Sequence, residues 1–204
     1  MSEFNQRPPL RNRISAQPAN SRFFARLAAA ICVALLGACA TIETVPPGPS
    51  FELAGRIAVR YQERGFSSSL RWKHDQADDE MWLTSPLGQT IAYLQSDANG
   101  ATLTGSDQKQ YRASSIDSLV RNAFGWRFPV ADLRYWVLGE AVPGAAALSI
   151  EHDTAQRIAR LEQGDWKVTF SYATLESKRP ARLNVVGIDA EIRLVIDTLT
   201  LAQP

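Results

Sequence analysis

The fold is decided by the stretch Phe51-Glu52-Leu53-Ala54-Gly55-Arg56-Ile57-Ala58-Val59. Its large apolar residues alternate with charged or small ones, and this period of two places successive side chains on opposite faces of a strand. The stretch is therefore predicted to be a strand with one buried and one solvated face. Half-buried strands are typical of antiparallel sheets, so the rest of the chain should supply antiparallel partners.

Most of the sequence that follows repeats this alternation. The segment 66–73 alternates in the same way after a turn at residues 63–65, and Asn99-Gly100 is a strong hairpin signal. Residues 74–80 are polar and acidic and are predicted to form a loop. Ten or eleven strands are expected in all, the others at 81–84, 90–95, 101–104, 109–113, 147–151, 158–162, 166–172, 181–186 and 191–199.

One stretch between these strands changes to the helical period. Ile116 and Leu119 lie on one stripe that follows a serine cap and should end at Gly125, and a second short helix is predicted over 131–138, ended by Gly139. The predicted architecture is mainly β. A curled antiparallel sheet, closed or nearly closed into a barrel, carries two short helices at its mouth or in its interior.

Ahead of the strands lies the pattern of a secretory signal. Five arginines precede an apolar run at 27–36, which is about half the roughly 20 residues that a membrane-spanning helix needs. The run leads into Leu36-Gly37-Ala38-Cys39, which resembles the lipobox of bacterial lipoprotein signal peptides, where the cysteine is acylated. We therefore predict that residues 1–38 are a signal peptide and that Cys39 becomes the acylated first residue.

The region after the lipobox is predicted to contain a tether and one domain. Residues 39–50 should be extended, because three prolines and a glycine among them disfavour helix and sheet. Several acyl chains on Cys39 would attach the protein stably to a membrane, whereas one chain attaches it only marginally. Residues 51–204 have the size of a single domain with its own core.

The composition argues against two kinds of partner or stabiliser. Without the leader the chain keeps 17 of its 22 basic and 20 of its 21 acidic residues, so nothing indicates nucleic-acid binding. Cys32 leaves with the leader and Cys39 is acylated, so no disulfide is expected in an oxidising compartment. Stability should come from burial alone.

No catalytic or metal-binding constellation stands out. The two histidines, His74 and His152, lack partners at metal-ligand spacing, and both are predicted to lie in solvated loops. The serines at 67–69 lack the Gly-x-Ser-x-Gly elbow of a nucleophile, and no glycine-rich phosphate loop is present. We predict that the protein is not an enzyme and uses neither a metal nor a cofactor.

Large apolar side chains form a strip across successive strands. One interpretation is a packed core. The other is a cavity for an apolar ligand, because a barrel of about ten strands is wider than the eight-stranded kind that side chains can fill. The strip comprises Trp72, Leu83, Tyr93, Trp166, Val168 and Phe170.

A second apolar feature is Leu87, within Ser85-Pro86-Leu87-Gly88-Gln89. Pro86 and Gly88 favour a tight turn, whose tip is normally polar. Leu87 either folds back onto the sheet or stands exposed as a finger that enters a membrane or contacts an acyl chain.

Several of these motifs, in this order behind a lipobox, resemble the outer-membrane lipoprotein receptor LolB family. The resemblance extends over nearly all of the chain after Cys39. The segments that carry it are 51–59, 70–72, 85–90, 133–139, 164–168 and 193–197.

The resemblance implies an incompletely closed, LolA/LolB-like barrel whose helices cover an apolar cavity. It also implies a monomeric receptor, anchored on the periplasmic face of the outer membrane, that accepts acylated lipoproteins from the periplasmic carrier LolA and inserts them into the lipid. Leu87, between Pro86 and Gly88, would be the membrane-insertion loop. The residues expected to line the cavity are Leu70, Trp72, Leu83, Tyr93, Leu119, Trp136, Val168 and Phe170.

Three other functions remain open at the level of the sequence. A lipid-anchored structural subunit of an envelope complex would have an apolar sheet edge and no cavity. A lipocalin-like carrier would differ from the receptor only in binding a small apolar ligand. A hydrolase would need a nucleophile, a base and an oxyanion site to converge, which two isolated histidines do not indicate.

Overall fold

The computed structural model describes residues 49–202. The predicted signal peptide, Cys39 and most of the predicted tether lie outside these residues. The described part contains strands β1 (Phe51–Tyr61), β2 (Arg64–Asp75), β3 (Asp78–Thr84), β4 (Thr90–Asp97), β5 (Gly100–Gly105), β6 (Gln110–Ala113), β7 (Ala147–His152), β8 (Ile158–Gln163), β9 (Trp166–Ser171), β10 (Arg182–Val186) and β11 (Ala190–Leu201). They form one antiparallel sheet in the order β6-β5-β4-β3-β2-β1-β11-β10-β9-β8-β7, which confirms the predicted mainly β class.

The first strand lies at the centre of this sheet. β1 pairs with β2 on one side and β11 on the other, so that Leu53 lies opposite Trp72 and Leu199. Its apolar side chains are buried at alternate positions, as the sequence predicts. At Gly55 the neighbouring backbone approaches so closely that a Cβ atom would stand 2.1 Å from the Val195 carbonyl oxygen, so a side chain does not fit there.

The sheet curls without closing. Its edge strands are β6 and β7, and no pairing joins them within residues 49–202. The prediction of an incompletely closed barrel is therefore confirmed. Among the same residues, no helix combines the length and the apolar character that crossing a membrane requires.

Two short helices follow β6. Helix α1 (Ile116–Phe124) is capped by the Ser115 side chain, which accepts a hydrogen bond from the Ser118 amide, and it ends at Gly125 in the left-handed conformation. Helix α2 (Val130–Trp136) begins directly after Pro129. Both predicted helices are thus confirmed, and α1 packs beside β5 and β6.

The core lies between the inward face of the sheet and the two helices. Inward side chains of the strands and apolar side chains of both helices form one continuous cluster. Its largest fully buried members are Trp72, Trp136, Phe51, Leu53, Leu119, Leu133, Leu138, Leu161, Ile192 and Leu194.

The loop predicted at residues 74–80 is wrong. β2 and β3 extend into this segment and are joined by a two-residue turn, in which Gln76 has a φ of 54°. His74 and Asp79 face the interior and are fully buried, with His74 Nδ1 3.0 Å from Asp79 Oδ1. The solvated position predicted for His74 is therefore wrong too, because its Nδ1 atom finds a buried carboxylate partner in Asp79. His152 is exposed at the end of β7.

Candidate functional site

A small apolar cavity lies beneath helix α1. Its volume is about 90 Å³, and every side chain that lines it is apolar. The walls come from the inward faces of β1 to β5, from α1, and from two aromatic residues that follow the helix. The lining residues are Ile57, Val59, Phe66, Leu70, Met81, Leu83, Ala92, Leu94, Leu103, Val120, Trp126 and Phe128.

Two of the eight predicted cavity residues line this space. They are Leu70 on β2 and Leu83 on β3, which lie opposite each other in the sheet. Five others are buried in the core that surrounds the cavity and do not line it: Trp72, Leu119, Trp136, Val168 and Phe170. For these positions the packed-core interpretation describes what the structure shows.

The prediction that Tyr93 lines the cavity is wrong. The β3–β4 register places Ala92 opposite Leu83, so Ala92 is the inward neighbour, and Tyr93 lies opposite Trp82 on the outer face. There the two rings stack with their centroids 5.1 Å apart, and the Arg71 guanidinium lies over the Trp82 ring. A shift of one residue along a strand reverses the face on which a side chain lies.

The aromatic residues that line the cavity, Phe66, Trp126 and Phe128, were not among the cavity residues expected from the sequence. Trp126 and Phe128 directly follow the cap of α1, and their rings meet edge to face with centroids 5.6 Å apart. Tyr61 stacks on Trp126, and its hydroxyl donates a hydrogen bond to the Gly125 carbonyl oxygen at 3.2 Å. Two large aromatic residues just after a helix-ending glycine were the available signal.

A polar cluster lies in the core between strands β2 and β3 and helix α2. Asp79 Oδ1 accepts hydrogen bonds from Trp72 Nε1 at 2.8 Å and from His74, and Asp79 Oδ2 pairs with Arg134 of α2. Burial by itself raises the pKa of the Asp79 carboxyl, but the hydrogen bond from His74 and the charge of Arg134 together lower it below its ordinary value. The cluster therefore joins α2 to the β2–β3 hairpin through an ionised, fully hydrogen-bonded carboxylate.

The chain after α2 is attached to the other half of the sheet. Arg179 donates to the Leu138 carbonyl oxygen at 2.6 Å and pairs with Glu140 at 2.7 Å. The buried Gln163 side chain exchanges two hydrogen bonds of 2.9 Å with the Val142 backbone. Residues 130–142, called here the α2 segment, are thus held at both ends.

The loop between β3 and β4 presents Leu87 to solvent. Its side chain is 88% exposed, so of the two alternatives the structure shows the outward one. The loop is nonetheless well defined, because the Ser85 amide donates to the Gln89 carbonyl oxygen at 2.8 Å and the Gly88 amide to Ser85 at 2.9 Å. Gly88 has a φ of 80°, a conformation that favours glycine.

The remaining cavities differ in chemistry. A larger open groove of about 490 Å³ lies at the opposite end of β3 and β4 and is lined mainly by polar and charged residues, among them Asp78, Glu80, Asp97 and Arg112. Within residues 49–202 no group of three or more histidine, cysteine or acidic side chains is arranged to hold a metal ion. The cavity beneath α1 is therefore the candidate site for an apolar ligand.

The structure defines a class of protein, an open antiparallel barrel with a helical cover over an apolar cavity, and comparisons with known proteins assign the family. The model of the family described as outer membrane lipoprotein LolB matches residues 49–198. The chain therefore belongs to the outer membrane lipoprotein LolB family. This confirms the predicted family, its outer-membrane placement and its association with lipoprotein localisation.

Relatives of similar sequence agree with this assignment. The outer-membrane lipoprotein LolB of Azoarcus sp. (strain BH72) is 37% identical over 193 residues, covering 87% of this chain and 96% of the relative. That of Thiobacillus denitrificans is 35% identical over 171 residues, covering 80% and 90%. A solved structure, a putative outer membrane lipoprotein-sorting protein domain from Vibrio parahaemolyticus, is similar with a TM-score of 0.47 and 12% identity, covering 76% of this chain and 86% of that one.

Proposed function

We propose that the domain receives the acyl chains of lipoproteins from the carrier LolA in the cavity beneath α1 and releases them into the outer membrane. The observation that carries the proposal is the wholly apolar lining of that cavity in a barrel left open at one side. An acyl chain offers no hydrogen bonds, so a site without polar side chains suits it. Each methylene buried away from water contributes about 0.8 kcal/mol.

The cavity must enlarge to hold an acyl chain. Its volume of about 90 Å³ is well below the roughly 300–1,000 Å³ of pockets that bind small molecules. Residues 115–128, called here the α1 segment, form the wall opposite the sheet, and we expect this wall to move. Its side chains Val120, Trp126 and Phe128 would then separate from the sheet and continue the apolar surface along the incoming chain.

Transfer of this kind needs neither covalent chemistry nor a nucleotide. Acyl chains leave the carrier when the receiving cavity binds them more tightly, and the bilayer is a still more favourable environment. Cys39, acylated and joined to the domain by residues 39–50, would keep the receptor at the outer membrane. The protein would act as a monomer and without a cofactor.

Leu87 would make the contact with the membrane at the release step. A leucine side chain that passes from water into the lipid gains about 1.5–3 kcal/mol. Because the loop holds Leu87 outward through its own hydrogen bonds, no rearrangement of the sheet is required for this contact.

Cargo transfer in solution tests the receptor function. The mature chain with Cys39→Ser is mixed with LolA carrying an acylated lipoprotein, and co-purification shows which protein holds the cargo. We expect the cargo on this chain. If the cargo stays on the carrier while circular dichroism shows this chain to be folded, the receptor function is wrong and a structural subunit becomes the better description.

The role of Leu87 is tested separately with Leu87→Glu. We expect this variant to accept cargo from the carrier like the unsubstituted chain and to lose insertion of cargo into vesicles. Leu175→Glu is a matched control, since Leu175 is also exposed, at 72%, and lies in the β9–β10 connection at the other end of the sheet. Unchanged insertion by the Leu87 variant would contradict the proposed role.

A further inference from the structure

A second exposed apolar tip stands at the same end of the sheet as Leu87. Ile188 lies in the turn between β10 and β11 and is 85% exposed, which is close to the exposure of Leu87. Turns at the surface are ordinarily polar. An outward isoleucine at a turn tip is therefore a candidate contact point, to be weighed with the position of the turn.

The turn that carries Ile188 has a rigid base. The Gly187 amide donates to the Ala190 carbonyl oxygen at 2.8 Å. Gly187 lies against the buried Trp166 ring so closely that a Cβ atom would stand 2.5 Å from the ring atom Cζ3. The turn is thus seated on the indole, and Ile188 is directed away from a tightly packed support.

The strand register puts both tips at one end of the barrel. Ala190 and Arg64 both pair with Tyr61, so the β10–β11 turn lies beside the β1–β2 turn, where the Gln62 amide also approaches the Asp189 carbonyl oxygen. β2 runs away from this end and β3 returns to it, which brings the β3–β4 loop to the same side. In the sheet order the two turns are four strand spacings apart, which is about 19 Å measured across the curled sheet.

The attachment of the tether gives a further geometric constraint. Phe51 begins β1 at the opposite end of the barrel, and the 11 residues of β1 cover about 36 Å. The chain from Cys39 to Phe51 reaches at most about 40 Å when fully extended. This length is just sufficient for the end that carries Leu87 and Ile188 to reach the membrane in which the acylated Cys39 would be anchored.

We propose that Ile188 is a second membrane-contacting side chain, and that Leu87 and Ile188 together orient the domain with this end against the lipid bilayer. Two apolar points on separate turns, four strands apart in the sheet order, define a tilt that a single finger leaves free. The occupant of this surface is a bilayer, because the chain from Cys39 allows this end to reach the lipid and the two aliphatic side chains stand on separate turns. A groove of about 400 Å³ beside Ile188 is flanked by the charged residues Arg127 and Asp165 and does not include Leu87, so it does not join the two tips into one peptide site. The inference rests on the proposed function and extends its membrane contact.

Depth measurements on the lipidated protein test this inference. Cys32 lies in the predicted signal peptide and Cys39 is the proposed acylation site, so an introduced cysteine would be the single reactive thiol of the mature chain. We would label Leu87→Cys, Ile188→Cys and Leu175→Cys with an environment-sensitive fluorophore. Each would be reconstituted in vesicles of phosphatidylethanolamine and phosphatidylglycerol that contain a brominated lipid as quencher.

The expected result is a blue-shifted emission, quenched by the brominated lipid, at positions 87 and 188 and an aqueous emission at 175. Quenching at 87 without quenching at 188 would overturn the second contact and leave the proposed function intact. Absence of quenching at both tips would overturn the proposed membrane contact as well. Equal quenching at all three positions would show contact without orientation and would also overturn the inference.

The length of the tether offers an independent check. Deletion of residues 41–46 leaves a chain that reaches only about 20 Å from Cys39 to the domain. The labels at 87 and 188 should then lose their quenching, and six glycine and serine residues inserted at the deletion should restore it. Retained quenching after the deletion would contradict the orientation.

Discussion

The two helical segments cover the same face of the sheet but are attached to it in different ways. The α2 segment is joined to β3 by the Asp79–Arg134 pair, to the β9–β10 connection by Arg179 and to β8 by Gln163. The α1 segment is attached through the Tyr61 hydroxyl and through an ion pair between Arg127 and Asp165, whose side chains are both more than half exposed. Exposed ion pairs contribute little, so α1 depends mainly on apolar contacts.

This difference coincides with the position of the cavity. Beneath the α2 segment the side chains of Trp136, Val137 and Leu138 are completely buried. Beneath the α1 segment about 90 Å³ remains unfilled. The α2 segment is thus a fixed cover and the α1 segment a loosely attached one, and the space for a ligand lies under the α1 segment.

The largest expected effect comes from removing the carboxylate that fixes α2. Asp79→Ala would leave Arg134, His74 and the Trp72 indole without their buried acceptor, which typically costs about 3–5 kcal/mol. Urea denaturation would measure the loss. Asp78→Ala, at the exposed neighbouring position, is the control and should change the free energy of unfolding by less than about 0.5 kcal/mol. Similar losses of unfolding free energy in the two variants would show that the Asp79–Arg134 pair does not hold α2 against the sheet.

The same carboxylate should make stability depend on pH. Because the pKa of Asp79 is lower in the folded state, its contribution is fully present above the unfolded value of about 3.9 and is lost as the pH falls through the folded value. The difference in unfolding free energy between the unsubstituted chain and Asp79→Asn should therefore shrink below about pH 4. A difference that stays constant between pH 7 and pH 3 would contradict this assignment.

A matched pair of valines tests whether the two regions differ in packing. Val59 lines the cavity, whereas Val168 is buried outside it. We expect Val168→Phe to cost about 3 kcal/mol through overpacking, and Val59→Phe to cost less than about 1 kcal/mol because its ring can enter the unfilled space. Val59→Phe should also reduce cargo acceptance. Equal losses of unfolding free energy in urea denaturation would mean that the cavity cannot accommodate a phenyl ring.

The smallest expected effect concerns the attachment of α1. Tyr61→Phe removes the hydrogen bond to the Gly125 carbonyl oxygen, which is worth about 0.5–1.5 kcal/mol. Hydrogen exchange of the α1 amides should accelerate roughly three- to tenfold, with no change in α2. Tyr172→Phe, which removes a comparable bond to the Ile158 carbonyl oxygen, is the control. Faster exchange in both helices would show that they open as one unit.

The sequence predicted those features whose signals are local. Alternation along β1 indicated its buried face, and the serine and glycine around α1 indicated where that helix begins and ends. The cavity was harder to place, because alternation identifies inward side chains without showing which of them the helices press together. Trp72 and Val168 are inward and buried, as expected, yet they do not line the space.

Two errors have a common physical origin. Tyr93 was assigned to the wrong face because the register across the β3–β4 loop, which includes a bulge, decides which of two neighbouring residues points inward. His74 and Asp79 were assigned to a loop because their burial depends on Arg134, which lies 55 residues beyond Asp79 in the chain. Neither the strand register nor a partner that is distant in the chain can be predicted from the composition of the neighbouring residues.

The sequence by itself determined the mainly β class, the predicted lipobox and the turn that carries Leu87, and its ordered motifs resemble the LolB family. The class, the lipobox and the turn follow from side-chain chemistry and spacing over a few neighbouring residues, whereas the resemblance rests on motifs spread along the chain. The tertiary structure alone decided that Asp79 clamps α2, that the cavity lies under α1, and that Ile188 stands at the same end as Leu87. Each of these depends on long-range strand pairing and helix packing, which bring together residues far apart in the chain.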